Sequence, residues 1–251
     1  WGLNTTSGNL IVIVVVCGAA TISSITDSQS NTYSSAVVTN ANSIRMEIWY
    51  AQNITGGTTP TVTASFSSSV QNNIIIQEYS GIITSSSLDK TAGATGTGGG
   101  TANSGNTATT TQNNELIIGG GASGTFPSIG TGYINSIVQL ASGSTIYAIL
   151  EDKNQTTTAI QSATFTGADS FWNAGVATFK ETVITTSTSS STSTTRSTST
   201  STSSTTTSSS TSTTKSTSTT KSTSTSSTTT SSSTSTTQST STSTTKSTST
   251  S

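Results

Sequence analysis

The chain of 251 residues is 7% charged and 28% hydrophobic, with no histidine, one cysteine and a formal net charge of −1. Without histidine, Ser-His-Asp and Cys-His catalysis and histidine-containing zinc sites are excluded. The charge is unevenly spread: residues 185–251 hold four cations and no acid, which leaves residues 1–184 with four cations, nine acids and a balance of −5. No basic patch exists there to neutralise the phosphates of a nucleic acid.

The predicted elements begin with Leu10–Cys17, an unbroken apolar run of eight residues. It falls well short of the roughly 20 residues that span a bilayer as a helix, and it reads as a strand covered on both faces. Cys17 has no second cysteine to bridge to and reads as a small buried hydrophobe. No basic n-region or small-residue cleavage site precedes the run, and the chain starts at Trp1 and stops in mid-repeat at Ser251. The expectation is a processed form or a fragment, its signal peptide removed and a further domain or anchor following the tail.

Strands follow at 23–27 and 32–38, and then at 44–51, where alternation is clearest. Ile44, Met46, Ile48 and Tyr50 share one face, and Arg45, Glu47, Trp49 and Ala51 the other. Trp49, beside two charged residues on an outward face, is a candidate for stacking on a sugar ring, although large aromatics more often pack under a loop or a second sheet. Further strands are predicted at 59–66, 73–79, 87–95, 106–111, 115–120, 131–140, 144–151, 156–166 and 173–182, with turn clusters such as Thr55-Gly56-Gly57 and Ser142-Gly143 between them. Ile74, Ile75 and Ile76 form a second apolar run, which is assigned to the centre of the fold. The glycines at 96–100 are followed by neither a lysine nor a helical pattern, so the stretch reads as a flexible loop and not as a phosphate cradle. Trp172, next to Phe171, and Trp1 are weaker sugar-stacking candidates.

No segment of a dozen residues keeps apolar positions at helical spacing, and β-branched residues abound. An all-β fold follows: an antiparallel, two-sheet, jelly-roll-like β-sandwich over residues 1–184. Residues 185–251 are Ser or Thr except for Arg196, Lys215, Lys221, Gln238 and Lys246, and Ser-Ser-Ser-Thr-Ser-Thr-Thr recurs from Ser189, Ser208 and Ser231. Such a low-complexity tail has no apolar area to offset the entropy of ordering it, and it reads as an extended, O-glycosylated stalk. N-x-[ST] sequons make Asn4, Asn53 and Asn154 N-glycosylation candidates.

Enzyme chemistry is poorly provided for. Glu47, Glu78, Glu115, Glu151, Asp152 and Asp169 are the acids from which a glycosidase pair would have to come. Glu151 and Asp152 are adjacent on a strand, point to opposite faces and cannot flank one bond. Asp27 and Asp89 stand at strand ends without the spaced Asp/Asn cluster of a calcium loop, so neither a metal nor another cofactor is expected. So few titratable groups predict a stability that changes little with acid.

Several stretches resemble a family of secreted bacterial and archaeal β-sandwich modules found in large surface and extracellular proteins. They are Gly8-Asn9-Leu10-Ile11-Val12, Ser24-Ile25-Thr26-Asp27-Ser28 with Asn31-Thr32-Tyr33, Trp49-Tyr50-Ala51-Gln52-Asn53, Glu78-Tyr79-Ser80-Gly81, Asn114-Glu115-Leu116 and Ala177-Thr178-Phe179-Lys180. The resemblance implies an architecture and a setting and carries no catalytic residue. Members usually have glycine where this chain has Ser30, which puts the turn after Asp27 in question. They also have a further strand before the Gly-Asn-Leu segment, whose lack would leave an open sheet edge, a template for a strand donated by another chain.

The expected protein is a non-enzymatic, extracellular or cell-surface glycoprotein module, adhesive or polysaccharide-binding, displayed on a glycosylated stalk. Its partners would be a polysaccharide or cell-surface glycan, or further copies of itself, with no membrane span in this chain. The alternatives are a subunit of an extracellular filament or coat built by strand donation, and an accessory module of a polysaccharide-degrading enzyme.

Overall fold

The computed structural model describes residues 4–140, 144–168 and 171–183; Trp1, Asp169 and the expected stalk at 185–251 lie outside the described residues. Among those described there are thirteen strands and no helix: β1 (Leu10–Cys17), β2 (Ile22–Asp27), β3 (Ser34–Ala41), β4 (Ile44–Ala51), β5 (Val62–Phe66), β6 (Asn72–Tyr79), β7 (Leu88–Thr97), β8 (Gly100–Asn103), β9 (Glu115–Ser123), β10 (Asn135–Leu140), β11 (Tyr147–Gln155), β12 (Thr164–Ala168) and β13 (Phe171–Lys180). One antiparallel sheet has the order β3-β4-β1-β6 and a second the order β10-β11-β9-β13-β7, with β2 pairing β5 and β8 pairing β12 in two small sheets. The chain completes the first main sheet before it begins the second.

The apolar residues show how these sheets stack. In β1 the even residues Leu10, Val12, Val14 and Val16 meet Met46, Ile48, Ile118, Leu150 and Phe179 between the two main sheets. The odd residues Ile11, Ile13, Val15 and Cys17 meet Ile22, Ile25, Val62 and Phe66 beneath the β2–β5 sheet. On the opposite side Ile117, Ile149, Ala174 and Val176 meet Ala102, Ala163 and Phe165 beneath the β8–β12 sheet. A strand with core on both faces must be apolar at every position, which is why β1 shows no alternation. In β4 the expected phase holds, but its second face is covered as well, and Glu47 and Ala51 are each only 1% exposed.

Four expectations are corrected. β6 is an edge strand in which Ile74 and Ile76 are half-buried, not a central one. The glycines at 96–100 are no flexible loop: Gly96 and Thr97 end β7 and Gly100 begins β8, so the chain turns over two residues. Neither 106–111 nor most of 156–166 forms a strand, for a shared reason. Ser104, Thr107 and Thr110, three residues apart, donate their N–H groups to the carbonyls of Ala163, Gln161 and Ala159 at 2.9, 2.9 and 3.1 Å. Each accepts the N–H of the same partner on its own hydroxyl, at 2.8, 3.0 and 3.1 Å. Hydroxyls stand in for carbonyls, and a period of three is matched to a period of two. Thr107 is 5% exposed, so Thr107→Val leaves a buried N–H bare and should cost about 1–3 kcal/mol in denaturant titration, with Thr107→Ser close to wild type.

In the turn after Asp27, Ser30 adopts the left-handed conformation that glycine favours, with φ 61°. Asp27 holds it there, accepting from the backbone of Gln29 and Asn31 at 3.0 Å each, from the Asn31 amide at 2.7 Å and from the Tyr33 hydroxyl at 2.8 Å. Ser30→Gly relieves the strain and should raise stability by about 1 kcal/mol; an unchanged or lower melting temperature would contradict this account. β1 lies inside its sheet, flanked by β4 and β6, and the open edges of the main sheets belong to β3, β6, β7 and β10.

Candidate functional site

β6 and β10 are edges of different sheets on the same side of the stack, and a cleft of about 310 Å³ opens between their ends. Glu78 and Tyr79 come from the end of β6, Ser80 and Ile82 from the turn beyond it, Ile134 from just ahead of β10 and Asn135 from its start. β11 supplies Asp152 and Asn154, β9 supplies Leu116, and Glu181 follows β13. Register brings the middle of this set together, since Asn135 pairs with Asp152 and Asn154 with Leu116.

Asp152, 7% exposed, ties the two sheets together. Its carboxylate accepts from the Tyr79 hydroxyl at 3.2 Å and from the Asn135 amide at 2.8 Å. Burial, with the Asp152 charge added, pushes the Tyr79 hydroxyl far above its ordinary pKa, so it stays a neutral donor. Glu78 accepts from the Thr6 N–H and the Asn9 amide, both at 2.7 Å, which fixes the β6 rim to the segment before β1. Burial also raises the pKa of Glu181. Among the described residues three carboxylates and no lysine or arginine line the cleft, with Leu116, Ile82 and Ile134 as apolar surface. The set offers directional acceptors and amide donors to a ligand rich in hydroxyls, and it repels an anion.

The sequence-predicted residues are scattered around this cleft. Asn154 is exposed at its rim, so a glycan there would stand at the mouth, whereas Asn53, with φ 52°, and Asn4 are exposed elsewhere. Trp49 is half-buried against the cluster beneath the β2–β5 sheet and donates its indole N–H to Glu47 at 2.6 Å; Arg45 pairs with the other oxygen of Glu47. Trp172 lies half-buried on the opposite outer layer, over Gly96, where a Cβ would come within 2.3 Å of its ring. Neither indole lines the cleft. Glu151 and Asp152 do point to opposite faces: Glu151 is buried beneath the β8–β12 side, where it accepts from the Gly130 N–H at 2.7 Å.

Asp27 is saturated by its own turn, and Asp89 is held by Thr111, Lys90 and Lys180; among the described residues no group of acids is placed to hold a metal ion. A smaller cavity of about 110 Å³ at the other end of β1 is lined by Cys17, Asn73 and Ile146. Burial, then the Glu47 carboxylate, pushes the Cys17 thiol up to about 11, which leaves it unreactive.

The fold and cleft define a class: an all-β module of stacked antiparallel sheets with an acid-lined cleft where two sheet edges approach. Compared with protein-family models, with curated proteins and with solved structures, the chain matches none.

Proposed function

We propose that the protein is a non-enzymatic, extracellular or cell-surface glycoprotein module that binds neutral polysaccharide in the cleft between β6 and β10 and is displayed on its O-glycosylated Ser/Thr stalk. The display scaffold is a two-sheet sandwich wound one sheet after the other, without the strand alternation between sheets that a jelly roll has. The observation that supports the reading is the convergence of Tyr79, Asn135, Asp152 and Glu181 on a cleft with apolar surface and no cation. Carboxylate and amide oxygens accept pairs of sugar hydroxyls, and the negative lining turns away acidic glycans and phosphates.

Affinity electrophoresis of the full chain through gels containing neutral or acidic polysaccharides tests this. Retardation by a neutral polysaccharide is expected, and Asn135→Ala and Glu181→Ala should each weaken it about 10-fold, the effect of losing a hydrogen bond worth roughly 1.4 kcal/mol. Both variants should keep the wild-type melting temperature to within a few degrees. Loss of binding in Trp49→Ala or Trp172→Ala but not in the cleft variants would move the site to the indoles and refute this assignment.

A further inference from the structure

The four edges of the two main sheets are unequally protected against pairing with another chain. β3 is bulged between Ser35 and Val37, and β7 carries Asp89 and Lys90 and a register shift against β13. β6 carries Glu78 next to its end and has no large exposed apolar side chain. β10 has none of these protections. Its six residues include no charge, proline or glycine, and it pairs with β11 without a register shift. Ile137 and Leu140 are 36% and 42% exposed, and Ile134, just ahead of the strand, is 69% exposed. A regular, uncharged edge with outward apolar side chains is what natural sheets avoid unless a strand is to be added there.

We propose that β10 docks antiparallel against β10 of a second copy of this chain, about a two-fold axis that runs perpendicular to the sheet through Ile137. Such an axis keeps matching faces together, so each residue must meet one of the same facing across the seam. Centred on Ile137, the register sets Ile137 opposite its own copy, Ile134 opposite Leu140, Asn135 opposite Gln139 and Ser136 opposite Val138. No other centre along this strand gives all three exposed apolar side chains apolar partners.

Charge does not oppose this occupant. Residues 1–184 carry a balance of −5, so two copies repel where acids meet, but an antiparallel β10 seam sets no ionisable group opposite another. The contact is isologous and closes at a dimer, turning two five-stranded sheets into one of ten strands. Because Ile134 and Asn135 also line the cleft, the two clefts stand beside the axis. The pairing needs no ligand, so it holds or fails independently of the polysaccharide reading.

The test is a cysteine scan of the full chain under mild oxidation, read on non-reducing gels beside sedimentation of the wild type. Opposed residues of an antiparallel pair have Cα atoms about 4.5–5.5 Å apart, within disulfide range. The natural cysteine, Cys17, is 3% exposed and gives little background. Wild-type protein is expected to sediment as a dimer, Ile137→Cys to cross-link nearly completely, and Ser136→Cys, which faces Val138, to cross-link at least 10-fold more slowly. Ile137→Lys, which sets two ammonium groups against each other, should sediment as a monomer and melt at the temperature the wild type shows when diluted to a monomer. A monomeric wild type overturns the proposal, as does cross-linking at Ile137 no faster than at Ser136 or at the exposed Val38 of β3.

Discussion

The melting temperature is expected to rise as the pH is lowered from 8 to 5, and replacing Glu115 and Glu151 with glutamine is expected to remove most of that rise. Both carboxyls are fully buried, neither oxygen of Glu115 meets a donor at hydrogen-bonding geometry, and one oxygen of Glu151 is bare. Burial pushes the pKa of each up to about 7 from 4.5; at Glu115 the Thr178 hydroxyl offsets part of the shift and the Asp89 carboxylate adds to it, and the Gly130 N–H offsets part of it at Glu151. Below about 4.5 the folded and unfolded chains both carry these protons, and folding bears no penalty. As the pH rises through 7 the unfolded chain has already ionised, and the folded chain must bury an anion.

Stability is therefore present in acid and lost toward alkaline pH, by up to about 3 kcal/mol for each carboxyl. For a domain of this size that corresponds to roughly 10 °C or more in melting temperature for the pair. Asp89 works in the other direction: despite its burial, the Thr111 hydroxyl and N–H hold it down at about 2, so its contribution is lost only as the pH falls from 3.8 through that value. The stability maximum should thus lie in mild acid, which revises the expectation of little change with pH. A melting temperature that is flat or falls between pH 8 and 5 would rule this out, as would a double glutamine variant that keeps the wild-type slope.

A second large effect is expected where the two main sheets approach each other most closely. Gly93, Gly175 and Gly120 lie side by side on β7, β13 and β9. A Cβ at Gly175 would come within 2.7 Å of a Val37 methyl and 3.0 Å of the Met46 terminal methyl, and one at Gly120 within 3.0 Å of Ile48. The glycine row is a trough that receives the side chains of β3 and β4. Alanine in place of a strand glycine normally helps stability, but here it overpacks a closed core. Gly175→Ala should cost about 1–3 kcal/mol, and Gly175→Val should cost more. Val37→Ala, itself destabilising, should recover part of the Gly175→Ala loss, so that a double-mutant cycle by denaturant titration shows coupling of about 1 kcal/mol or more. Strict additivity would show that the trough is not filled by Val37.

How much could be read in advance differs from element to element. β1 is uniformly apolar because it buries both faces in apolar layers, whereas β4 alternates because its second face carries Glu47 paired with Arg45 and Trp49, so both are visible in a window of eight residues. β8, four residues long, and the hydroxyl ladder of Ser104, Thr107 and Thr110 are not, because their partners lie about 50 to 60 residues away and the ladder's spacing matches no strand period. The cleft was legible only in pieces. The Glu78-Tyr79 pair stands out in the resemblance, whereas its junction with Asp152, 73 residues on, exists only once β6 and β11 face each other across two sheets.

By itself the sequence determined an all-β body, the phase of its alternation, the acid excess and the division from a Ser/Thr tail, because these depend on composition and on the two-residue repeat of an extended backbone. The tertiary structure alone decided which strands became edges, which carboxyls were buried and where the glycines had to yield to another sheet. Those outcomes depend on which distant residues share a face, and a chain's local pattern does not encode that.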